Sequence, residues 1–155
     1  MITSILRSKF IFPALLTLLI LGSFLPFISD STVWVYPFTK ALYSKICHGI
    51  GDRCFHIDGV PLHLCARCLG IYSGLLAGSL IALIARKQYS MFLSRLYLVL
   101  SFTPIAVHKV VELTGLVPYS LTAAAATGLI SGFLLFLYIS NRFLFNYQNG
   151  VNDPK

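Results

Sequence analysis

The sequence is poor in charge, and poorest in acid: 5 Asp and Glu stand against 12 Lys and Arg, and charged residues are only 11% of 155. A soluble domain keeps about a quarter of its residues charged, so water is excluded as the main solvent. There is no nucleotide-binding loop, no metalloprotease motif and no nucleophilic serine signature, so the sequence names no substrate and leaves open whether the protein is an enzyme. No low-complexity run appears, and no polar block is long enough to form a soluble domain. Cysteine is missing everywhere outside residues 47–68. The formal charge of +7 raises nucleic acid as a partner, but the basic residues lie between apolar blocks and form no continuous stripe. They read instead as topology signals and headgroup contacts, and no nucleic-acid partner is expected.

What is abundant is apolar. Hydrophobic residues make up 57% of the chain and mean hydropathy is +0.81. They gather into blocks at about residues 10–28, 69–85, 91–111 and 121–139, each long enough to cross a bilayer as a helix. The expected fold is an all-α membrane protein, one domain over residues 1–155, with four transmembrane helices and a loop over residues 29–68 between the first and second. Lipid is then the main partner, and the cell membrane the place, in multi-pass form. The first block follows Arg7 and Lys9 and is interrupted by Pro13, Ser23 and Pro26. A signal peptide would start the same way, but no clear small-residue cleavage site follows. Arg95, near the start of the third block, can snorkel to the headgroups.

Residues 33–45 are rich in aromatics, and Phe38, Leu42 and Ile46 recur at helical spacing after Pro37, which predicts a short helix at the membrane interface. Four spans put both termini and the Arg86–Lys87 loop on one side, with Arg7, Lys9, Arg142 and Lys155. The other side holds Lys40, Lys45, Arg53 and Arg67. By the positive-inside rule the termini are cytoplasmic and the 29–68 loop external. Gly70, Gly74 and Gly78 repeat every four residues in the second span, as do Ala124, Gly128 and Gly132 in the fourth. Such stripes let helix backbones approach closely, so spans two and four are expected to pack together. They could equally serve between chains of a homo-oligomer.

The chemistry lies in the loop. Cys47, Cys54, Cys65 and Cys68 fall in one stretch with His48, His56 and His63, and Cys65 and Cys68 form a C-x-x-C pair where the second span begins. Two sulfurs at that spacing can meet one metal ion or one another. Three readings stay open. The first is a transition metal, zinc by ligand type, held by Cys65 and Cys68 with Cys47 and Cys54 or a histidine; adjacent Cys47 and His48 do not readily share one ion. The second is a thiol-disulfide relay, with a thiolate stabilised by helix-start amides and Arg67. The third is a loop stapled by two disulfides, as in a small carrier or lipid-binding protein. An external loop favours disulfides, whereas the histidines favour metal. His108 and Glu112 share one face near the end of the third span, on the same side as the cysteine loop, where they could complete a metal shell or pass protons.

The run from Cys47 to Gly78 resembles the signature of an uncharacterised prokaryotic membrane-protein family, domain of unknown function 2085, which has no established activity. Its pattern is matched by Cys47, His48, Arg53, Cys65, Arg67, Cys68, Gly70, Ile71, Tyr72 and Gly74. The resemblance implies a core ligand set of Cys47, His48, Cys65 and Cys68, a common zinc set, whereas Cys54, His63, His108 and Glu112 are further candidates by residue type and position alone. A C-x-x-C pair opening the second span of a four-helix bundle is also similar to the quinone-linked disulfide-forming membrane enzymes. Those keep a second cysteine pair in another loop, which this chain lacks.

Overall fold

The computed structural model describes residues 2–27, 34–84, 93–115 and 118–151. Arg86, Lys87 and Lys155 lie outside the described residues, as do positions 28–33, 85 and 91–92 at the edges of the expected spans. The elements in chain order are α1 (Ile2–Phe24), α2 (Tyr36–Tyr43), β1 (Cys54–Ile57), β2 (Val60–Cys65), α3 (Ala66–Ile84), α4 (Leu93–Leu113) and α5 (Leu121–Val151), with single 3-10 turns at Leu25–Phe27 and Gly51–Arg53. The protein is therefore mostly helical, but it is not all-α.

The correction falls on the 29–68 loop, where β1 and β2 pair antiparallel, with Cys54 opposite Cys65 and Ile57 opposite Val60. Between them Asp58 and Gly59 have φ of 50° and 78°. A two-residue hairpin turn of this hand requires left-handed backbone at both central positions, and Asp-Gly supplies it at least cost. A register shift between Cys54 and His56 breaks the regular pairing of β1.

Among the described residues, two helices are long and apolar enough to cross a membrane, through Leu96–Leu113 in α4 and Leu121–Ser140 in α5. The apolar stretches described in α1, Phe10–Phe24, and in α3, Ala66–Ala82, are shorter. The helices are ordered by contact as α1 on α3, α3 on α5 and α5 on α4, and the α3–α5 contact is the most extensive. It is a backbone contact. A Cβ placed on Gly70, Gly74, Gly128 or Gly132 would collide with the carbonyl oxygen of Ala125, Leu129, Arg67 or Ile71 respectively. At Gly78 it would come within 2.7 Å of the Phe136 ring. Lipid offers no hydrophobic gain for helix association, so dispersion at this separation has to supply it. The small-residue stripes thus face each other within one chain.

Helix α2 begins with Pro37 in its first turn, where the missing N–H costs nothing. Its Tyr43 is buried and donates its hydroxyl to the Leu19 carbonyl of α1 at 2.6 Å. Phe38 and Leu42 point outward, 77% and 70% exposed, an apolar face suited to the membrane interface.

Because the atoms facing Gly74 are backbone, they cannot yield. Gly74→Ala is expected to destabilise the protein by about 1–3 kcal/mol in detergent, whereas Gly51→Ala, with nothing within 4 Å of the new methyl, leaves the melting temperature unchanged. Equal melting curves for the two variants would contradict the contact.

Candidate metal centre

Three segments converge at the start of α3. Cys65 ends β2, Ala66 opens α3, and Cys68 lies in its first turn. Cys47 comes from the residues after α2, where its N–H bonds to the Tyr43 carbonyl at 2.9 Å and continues the helical turn. The Cys65 N–H donates to the Cys47 sulfur at 3.3 Å, and the Cys68 N–H to the Cys65 sulfur at 3.5 Å. The Sγ atoms of Cys47, Cys65 and Cys68 all lie within 4.8 Å of one another. A tetrahedral zinc site, with bonds of about 2.3 Å, needs its sulfurs roughly 3.8 Å apart, so small rotations of these side chains suffice. All four cysteines are free thiols.

The surroundings are apolar: Tyr43, Cys47 and Leu64 form a buried cluster, with Leu19, Leu69 and Tyr72 packed against it. Poor solvation makes one negative charge expensive and two more so. Hydrogen bonds from the other two thiols pull the Cys47 thiol well below its usual range, while the Cys65 thiol is pushed up, chiefly by its bond to Cys47. A second negative charge among the three sulfurs is therefore opposed. A soft divalent ion is the partner that lets all three ionise.

The other predicted residues lie elsewhere. His48 is exposed beside Cys47 and is not part of the three-sulfur group. Cys54 is fully buried and donates to the Ile50 carbonyl at 3.2 Å. Burial first, and then the neighbouring Cys65 and Cys47, push its thiol up to about 11 from 9.0. His63 is buried between the rings of Tyr36 and Tyr43, at 4.6 and 5.4 Å between centroids, with Nε2 2.6 Å from the Thr39 hydroxyl. Its burial, with Lys40 nearby, lowers its pKa.

His108 and Glu112 face the site through arginine. Arg67, between the two cysteines of the C-x-x-C pair, donates from Nη2 to His108 Nδ1 at 3.1 Å and lies 3.8 Å from Glu112 Oε2. Arg53 and Lys109 approach the same carboxylate at 3.3 and 3.1 Å. The sequence alone did not point to Thr39 or to the Tyr36 and Tyr43 rings as the cradle of His63, although their three- and seven-residue spacing on α2 puts all three on one helix face.

The model of a family described as a predicted membrane protein (DUF2085) matches residues 47–138, from the first sulfur of the cluster to near the end of the apolar part of α5. The chain belongs to this DUF2085 family. An uncharacterised protein of Methanocaldococcus jannaschii is 37% identical over 100 residues, 64% of this chain and 64% of that one, so the chain spans under two thirds of that relative's length. No solved structure matches the chain. Membrane residence thus holds for this DUF2085 protein, and its cysteine cluster lies inside the matched region.

The raised Cys54 thiol makes a pH prediction. Above pH 9.0 an unfolded Cys54 ionises, whereas the folded one keeps its proton to about 11, so stability is full below 9.0 and falls as pH rises between these values. Melting temperature against pH should show an alkaline decline that is shallower in Cys54→Ala; parallel profiles would contradict the burial.

Proposed function

We propose that this DUF2085 protein crosses the membrane four times and holds a transition metal, zinc, on the thiolates of Cys47, Cys65 and Cys68, for structure or for sensing. The observation that carries the proposal is the convergence of three free sulfurs, from segments 18 residues apart in sequence, within 4.8 Å. A thiolate-bound zinc would supply a cross-link without redox chemistry and release protons on binding. The residues do the rest. Cys47 ties the segment after α2 to the hairpin, and Cys65 and Cys68 tie the hairpin to α3. The fourth donor is solvent, Cys54 or His48, and single substitutions at the last two separate these choices by metal content.

Packing as well as hydropathy supports the reading of four spans. Helix α3 runs beside the long apolar α5 from Gly70 to Gly78, so it shares the depth of a spanning helix, and α1 packs on α3. The charge distribution orients the bundle with cytoplasmic termini and an external cluster. Reporter domains fused after Lys155 should be active only where they fold in the cytoplasm; activity on the opposite side inverts the orientation.

The rival is a membrane thiol oxidoreductase, favoured by the lowered Cys47 thiol. Protein purified under reducing conditions should contain close to one zinc per chain, and Cys65→Ser or Cys68→Ser should lose at least nine tenths of it. Zinc-free wild-type protein that traps mixed disulfides after loss of one cysteine would replace the metal reading with the rival.

A further inference from the structure

The cations around Glu112 exceed what one carboxylate can balance. Arg53 from the 3-10 turn, Arg67 from α3 and Lys109 from α4 all approach it, and among the described residues it is their one acidic partner. Two positive charges are left over at the end of the α4 span. Arg67 Nε is also buried without a hydrogen-bond partner among the described residues, a donor whose desolvation nothing there offsets. The surplus positive charge calls for an anionic acceptor.

An apolar groove begins where these charges end. It lies between α4 and α5, is lined by Leu100, Pro104, Val107, Ile130 and Leu134, and has a volume of about 580 Å³. That lies within the roughly 300–1,000 Å³ of small-molecule sites. The groove is open along one side and its lining exposes no polar surface. Pro104 lies inside α4 and lines the groove, and a proline there leaves the carbonyl four residues back without its helical N–H partner. From Leu100 to Val111 the groove follows α4 for about 16 Å. His108 lines it one turn before Val111 and accepts the hydrogen bond from Arg67, so one side chain joins the apolar groove to the cationic cluster.

We propose that this is a binding site for an anionic phospholipid, with its phosphate at Arg53, Arg67 and Lys109 and one acyl chain along the α4–α5 groove. Charge selects the headgroup and the groove selects the chain. Glu112 spaces the three cations, and the Tyr119 ring, 5.5 Å from the Arg53 guanidinium, gives that side chain a further contact. The site depends on membrane residence and is independent of the metal reading.

The test uses full-length protein in a neutral detergent and follows thermal unfolding with added phosphatidylglycerol, phosphatidylcholine of the same chains, or inorganic phosphate. Phosphatidylglycerol should raise the melting temperature at concentrations at least tenfold below those at which phosphatidylcholine acts, and inorganic phosphate should not reproduce the shift. Arg53→Gln with Lys109→Gln leaves the Arg67–Glu112 pair balanced and should raise the phosphatidylglycerol requirement at least tenfold. Ile130→Trp, at a position 49% exposed and so free of packing strain, fills the groove and should do the same. Equal action of the two lipids, annular lipid only, overturns the proposal, as does an equal shift with inorganic phosphate or an unchanged requirement in Ile130→Trp.

Discussion

The contact on which the structure depends is the one between α3 and α5, made backbone to backbone across facing glycines. Its upper end sets the chemistry. Gly128 of α5 lies against the carbonyl of Arg67, the residue between Cys65 and Cys68, so the first turn of α3 is held to the long apolar α5 without an intervening side chain. In lipid such a contact is gained through close packing, and any methyl inserted there forfeits it. Everything at the cluster is referred to that turn. The hairpin ends on Cys65, the Cys65 N–H reaches the Cys47 sulfur, and α2 hangs from Cys47 while its Tyr43 docks on α1.

A second layer of order is electrostatic. Helix α4 packs on α5, but what joins it to the 3-10 turn before the hairpin and to α3 is polar: Glu112 takes Arg53 and Arg67, and His108 takes Arg67. At a membrane boundary, where charges are neither well solvated nor fully excluded from water, such groups are costly apart and favourable together. Arg67 therefore belongs to two networks. Its backbone and neighbours build the sulfur group, and its side chain reaches the charged end of α4.

Much of this was legible in the sequence, and the reasons differ by residue. Gly70, Gly74, Gly128 and Gly132 were readable because a four-residue repeat of small side chains has one physical use in lipid. The convergence of Cys65 and Cys68 was local, set by helical geometry, and Cys47 followed from the crowding of all cysteines into 22 residues. The hairpin was missed although Asp58-Gly59 between two β-prone runs is its ordinary signal; surrounded by cysteine and histidine, the stretch was read as a ligand loop. The partners of His63 and Glu112 were hidden for another reason. Thr39 lies 24 residues from His63, and Arg53 lies 59 from Glu112, so only the folded chain brings them together.

The central claim is that Cys47, Cys65 and Cys68 act as one ligand set, positioned by the α3–α5 contact. X-ray absorption at the zinc edge of the purified, detergent-solubilised protein addresses it most directly, because the first scattering shell counts sulfurs. The account predicts at least three sulfur scatterers at about 2.3 Å, and a shell made only of nitrogen and oxygen would contradict it.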